Sequence, residues 1–135
     1  MTSTSLLDLT VTHWSEIPTL CQYFDRLNQS EFAAVADLFA PEGQLQPPFE
    51  EPITGAEAIA AYLAQEASNM QLEPLQGELT TLETGSLQAE IKGKVRTPLF
   101  KVNVGWIFIL NRQAQIEYVR IRLLASMQEL LKLRR

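Results

Sequence analysis

Among 135 residues there is one cysteine, one histidine and, across the first 90 positions, one basic side chain. Each scarcity excludes something. A lone Cys21 rules out an intramolecular disulfide and a cysteine-based metal cluster, and the expected setting is a reducing cytoplasm. His13 stands before the first helical pattern, where it reads as an exposed or capping residue, so no histidine is left for acid–base work in an interior. No apolar run reaches the roughly 18 residues that a membrane-spanning helix needs. The start Met1-Thr2-Ser3-Thr4-Ser5 lacks the basic residues and apolar core of a signal peptide. There is no repeat, no Gly-rich phosphate loop, no serine nucleophile elbow and no metal-ligand spacing.

What is present is a chain with 46% hydrophobic residues, enough for one domain with a real core or a modest cavity. Charge is segregated. Residues 1–90 carry fourteen acidic side chains against Arg26, whereas residues 91–135 carry ten basic ones against Glu117 and Glu129. Such polarity fits either a basic docking surface for an anionic partner or an acidic helical half folded against a basic sheet half. The basic residues alternate along strands and do not cluster with exposed aromatics, which argues against nucleic acid.

The hydrophobic period changes once, near residue 70. Before it the spacing is helical. Ser15 is expected to cap a first helix with Pro18 in its first turn and Ile17, Leu20, Phe24 and Leu27 on one face. Ser30 is expected to cap a second, Glu31 to about Ala40, closed by Pro41 and Gly43. Thr54 and Glu57 form a capping-box pattern for a third that runs to about Ala67 and presents Ile59, Tyr62 and Leu63. Between these, Leu45 to Phe49 reads as a short edge strand or loop, because of Pro47 and Pro48. After residue 70 the period is two: Leu87, Ala89, Ile91, Gly93 and Val95 alternate with polar residues, Val102–Leu110 is apolar on both faces, and residues 115–125 place Val119, Ile121 and Leu123 together. Ser126 with Glu129 opens a short terminal helix over 127–133. Helices followed by a mainly antiparallel sheet make an α+β domain, a curved sheet around the first helix, spanning residues 15–135 behind an N-terminal extension of residues 1–14.

Acid–base chemistry is poorly served. Aspartate occurs only at Asp8, Asp25 and Asp37, and the strand carboxylates lie on faces expected to be solvated. Cys21 has no basic neighbour in sequence to activate it. The interior instead offers neutral donors, Tyr23 beside Phe24 and Trp106 between Gly105 and Ile107. Both fit two roles, core aromatics bonded to backbone carbonyls or donors converging on the oxygen of an apolar ligand. Gly105 marks a place where something approaches closely.

An ordered set of segments carries a resemblance. It comprises Gln22-Tyr23-Phe24-Asp25-Arg26-Leu27-Asn28, Leu38-Phe39-Ala40, Leu45-Gln46-Pro47-Pro48-Phe49, Gly93-Lys94-Val95-Arg96-Thr97-Pro98, Asn103-Val104-Gly105-Trp106, Leu123-Leu124-Ala125-Ser126 and Glu129-Leu130-Leu131. Together they resemble the C-terminal domain of the cyanobacterial orange carotenoid proteins and their free-standing homologues, of the nuclear transport factor 2-like superfamily. The resemblance implies that superfamily's cone-shaped fold and a keto-carotenoid such as canthaxanthin or echinenone. It places the donors to the ring carbonyl on Tyr23 and Trp106, and the lining on Leu27, Met70, Leu72, Pro98, Leu99, Val104 and Ile121. The family's bridging glutamate falls on Glu66, while Leu99 and Arg122 depart from the photoactive pattern near the cavity mouth.

The expected function is therefore a water-soluble keto-carotenoid carrier that quenches singlet oxygen, passes pigment to helical carotenoid proteins and touches membranes transiently to load. The polyene outreaches one small domain, so a two-fold homodimer sharing one pigment is expected. The terminal helix, through Leu130, Leu131 and Leu133, reads either as a lid over the cavity or as a fixed packing element. Alternatives on the same fold are a ketosteroid-isomerase-like enzyme, which needs an interior carboxylate or His, and a colourless dimerisation module.

Overall fold

A computed structural model describes residues 13–124 of the chain. A single 3-10 turn, Trp14–Glu16, precedes α1 (Pro18–Asn28) and the short α2 (Phe32–Ala36). Then come β1 (Phe39–Gln46), β2 (Ile53–Thr54), α3 (Ala56–Glu66), and the strands β3 (Gln71–Thr81), β4 (Leu87–Arg96), β5 (Lys101–Leu110) and β6 (Ile116–Leu124). The six strands form one sheet in the order β2-β1-β6-β5-β4-β3. Every neighbouring pair is antiparallel except β1 with β6, which is parallel. The helices cover one face, and the core lies between the two layers, the α+β arrangement expected.

Local chemistry explains the elements. Pro18 occupies the first position of α1, where its missing N–H costs nothing, and Leu20, Tyr23, Phe24 and Leu27 follow at helical spacing, all buried. Strand β4 alternates as its sequence does, with Leu87, Ala89, Ile91, Gly93 and Val95 inward. β5 has neighbours on both sides, in agreement with its two apolar faces.

Several boundaries differ from the sequence expectation. Ser15 does not cap α1, whose N-cap is Ile17 with no side-chain cap bond; the capping box belongs to the preceding 3-10 turn, where His13 Nδ1 accepts from the Ser15 N–H at 3.2 Å and Glu16 reaches back to the His13 N–H at 3.0 Å. Ser30 has a left-handed backbone (φ 59°) and caps nothing, so α2 begins after Glu31. That helix stops at Ala36 because Phe39–Gln46 is a strand. Pro41 is tolerated there since the β1–β6 register shifts between Phe39 and Gln44, which frees its position from the ladder. Leu45 accordingly sits in an inner strand and not at an edge; the edge is β2. At α3 the cap is Gly55 (φ 93°), and the Thr54 hydroxyl instead accepts from Gln44 Nε2 at 3.0 Å. β3 was not delimited by the sequence pattern at all, for Pro74 and Gly77 interrupt it and a bulge between Pro74 and Gln76 shifts its parity.

Trp14, on the extension side of the expected boundary, belongs to the core. It packs edge-on against Phe24 at 6.0 Å and lies over Gly77, where a Cβ would come within 2.6 Å of the indole. The expected terminal helix, with Leu130, Leu131 and Leu133, lies outside the described residues, as does most of the N-terminal extension.

Candidate functional site

A chamber of about 250 Å³ opens between the helical layer and one end of the sheet. The structure brings together Tyr23 and Leu27 from α1, Met70 and Leu72 at the start of β3, Val104 and Trp106 from β5, and Ile121 from β6 on its wall. It does not bring Pro98 and Leu99 there. These two sit in the turn between β4 and β5, and Leu99 is 87% exposed; Thr97 and Phe100 from the same turn face the opening instead. Gly105 lies on the other side of the sheet, since a Cβ on it would meet Leu124 at 3.4 Å, so it leaves no space for a chamber ligand.

Tyr23 is fully buried, and burial pushes its phenol well above the usual tyrosine range. It is held edge-to-face against Phe24 (5.3 Å) and Phe108 (5.0 Å), and Phe24 in turn against Trp106 (4.9 Å). Among the described residues its hydroxyl has no hydrogen-bond partner. A buried orphan donor costs about 1–3 kcal/mol; of the two such atoms among the described residues, this hydroxyl and Trp14 Nε1, only Tyr23 lines the chamber and can gain from a ligand oxygen there. Trp106, 1% exposed, sits on the same wall, with Ile91 and Ile121 as its strand neighbours.

A side chain mimicking a peptide group fixes the wall at Leu72. The Asn28 amide accepts from the Leu72 N–H at 2.7 Å and donates to the Leu72 carbonyl at 2.9 Å, closing the end of edge strand β3. The sequence marked Asn28 only as part of a resembling segment. The sequence puts Tyr62 and Leu63 on one face of α3 and marks Glu66 by resemblance, but that these with Ala67 form a wall of the chamber, and that Pro47 and Pro48 form its lip, is seen only in the structure. Tyr62 donates to Glu50 at 3.3 Å; desolvation, then the charges of Glu50 and Glu66, push its phenol up to about 12. Among the described residues Glu66 is the one carboxylate on the wall, and it is exposed, so they place no charged acid or base in the depth of the chamber. Desolvation and then Asp25 raise the Cys21 thiol, whose Sγ donates to the Ser15 carbonyl, the reverse of an activated cysteine.

The chamber thus combines an apolar wall with the unpartnered neutral donor of Tyr23. Among the described residues no cluster is suited to a metal, and no helix is long and apolar enough to cross a membrane.

Comparison with known proteins places this arrangement. The chain is 41% identical over 121 residues to the orange carotenoid-binding protein of Synechocystis sp., a match covering 87% of this chain and 38% of that protein. The orange carotenoid protein of Anabaena (Nostoc) sp., solved binding canthaxanthin, superimposes with a TM-score of 0.79 at 39% identity, over 86% of this chain and 38% of that one. The likeness falls on the C-terminal domain of these proteins, and the chain spans well under half of their length. A putative isomerase from Bacillus subtilis shares the fold alone, with a TM-score of 0.64 at 14% identity, over 78% of this chain and 84% of that one. The nuclear transport factor 2 (NTF2) domain matches residues 19–121. On that match, and on the sheet and helices that realise it, the chain belongs to the nuclear transport factor 2 family.

Proposed function

We infer that the chamber binds one end of a keto-carotenoid, with Tyr23 and Trp106 as the donors to the ring carbonyl. The observation that carries this reading is the unpartnered Tyr23 hydroxyl, enclosed by aromatic and aliphatic side chains. A neutral donor inside an apolar wall suits a ligand with one acceptor and a long hydrocarbon body. The two carotenoid-protein relatives support the same class of ligand. Among the described residues the interior offers no carboxylate or imidazole of the kind an isomerase-type proton transfer requires, which favours carriage over catalysis.

Pockets that enclose a drug-sized ligand run to roughly 300–1,000 Å³, so a chamber of about 250 Å³ takes a ring and leaves the polyene outside. Phe49, Leu99, Phe100 and Leu123 are large exposed apolar side chains in segments at or next to its opening. They suit a second copy that covers the protruding half of one shared pigment, or a membrane from which pigment is drawn. Transfer to a helical carotenoid protein and quenching of singlet oxygen follow from the same carriage.

The test is expression in cells that make canthaxanthin or echinenone, followed by purification. A coloured protein that elutes as a dimer with about one pigment per two chains is expected. Tyr23→Phe with Trp106→Phe should shift its absorption to the blue and weaken retention. A colourless product, or a double variant with unchanged spectrum and affinity, overturns the assignment.

A further inference from the structure

The chamber has one lip with an unusual construction. Residues 47–52 leave β1 and return in β2, and their stem is fixed by the pairing of Leu45 with Ile53 and by the Gln44–Thr54 side-chain bond. Pro47 and Pro48 of this loop line the chamber, whereas Phe49 at its tip is 93% exposed. Phe49 also has a left-handed backbone (φ 62°), a region that a bulky residue with a Cβ avoids and that persists only where surrounding ties hold it.

The ties converge on Glu50. Its N–H reaches the Pro47 carbonyl at 3.4 Å, its carbonyl accepts from Gln46 Nε2 at 3.4 Å, and its carboxylate accepts from the Tyr62 hydroxyl at 3.3 Å. Gln46 is itself held by the Tyr118 hydroxyl. Of these ties, only the bond from Tyr62 connects the loop to the helical wall facing it. The remainder hold the loop to its own stem and to β6.

We propose that the Tyr62–Glu50 bond is a latch on this lip, setting how fast an apolar ligand is loaded and released. With the latch made, Pro47 and Pro48 lie over the chamber wall; with it broken, the loop is free to relax the left-handed Phe49 and swing from its fixed stem. Tyr62 thus acts as a positioning residue for the loop, through Glu50. The proposal rests on the chamber being a ligand site but not on the ligand being a carotenoid.

The test therefore uses Nile red, an apolar dye, with stopped-flow loading and release, alongside amide exchange at residues 49–51 without any ligand. Tyr62→Phe and Glu50→Ala should each speed both loading and release about three- to ten-fold, the range one partly exposed hydrogen bond supports. Amide exchange in the loop should quicken by a similar factor. Phe49→Asn, which tolerates the left-handed backbone, should slow both rates. A rise in release alone would mean that Tyr62 only touches the ligand, and unchanged rates with a lowered melting temperature would mean a purely structural bond; either overturns the latch. A protein that binds no carotenoid yet shows the paired rate changes refutes the carotenoid assignment and leaves the latch standing.

Discussion

Folding leaves the Tyr23 side chain with an uncompensated polar atom on the chamber wall. Its hydroxyl is desolvated by folding without compensation among the described residues, so the ligand-free fold carries the cost. Tyr23→Phe should raise the melting temperature of ligand-free protein by about 3–5 °C, in line with regaining roughly 1 kcal/mol in a domain of this size. The same variant should bind a keto-carotenoid more weakly than wild type. Calorimetry with and without pigment checks both signs, and a lowered melting temperature in the ligand-free form would show the hydroxyl to be partnered in solution. That Tyr23 and Trp106 share the chamber wall was legible only through a resemblance; local pattern left core and ligand roles open. The α3 wall was not legible, since helical spacing shows which face of Ala56–Glu66 turns inward but not where the neighbours leave space. Pro98 and Leu99 misled for a related reason. The Thr97 hydroxyl accepts from the N–H groups of Leu99 and Phe100, at 3.2 and 3.1 Å, and winds the turn so that Phe100 takes the wall position.

At the scale of the element, the edge strand β3 depends on two devices that sequence periodicity does not reveal. One is the Asn28 amide bracketing Leu72. Asn28→Ala should cost about 2–3 kcal/mol in urea unfolding, two hydrogen bonds with one partner group left partly buried. The other is Trp14 seated on Gly77. Gly77→Ala should destabilise wild type by about 1–3 kcal/mol, and much less in a Trp14→Ala background, because the second change removes the obstacle that the first one meets. Additive effects of the two changes would mean that the indole is not what excludes a side chain there. Strand β4 was readable because its buried and solvated faces differ in chemistry at every second residue. β3 was not, because its bulge shifts the parity after Pro74 and a glycine stands where an inward side chain belongs.

At the scale of the whole molecule, titration gives a stability signature. Both Tyr23 and Tyr62 hold their protons in the native state beyond the ordinary tyrosine value. Above about pH 10 the unfolded chain releases these protons while the folded one keeps them, so the unfolded state binds fewer protons and stability falls as pH rises. The urea midpoint should decline from about pH 10 upward, the Tyr62 part being complete near pH 12. The double variant Tyr23→Phe/Tyr62→Phe should flatten that decline, and an unchanged slope would assign alkaline unfolding to other groups. The parallel junction of β1 with β6 carries a consequence in time. β6 lies between β1 and β5, yet it is synthesised after every other described strand. A growing chain that has not yet reached Ile116 consists of a helical piece with β1 and β2 and a separate meander of β3 to β5, with no ladder joining them. Ile121 and Leu123 are then missing from the chamber, and its apolar wall stands open on the ribosome. Any ligand of this chamber therefore meets a complete wall only in a chain already made past this last strand.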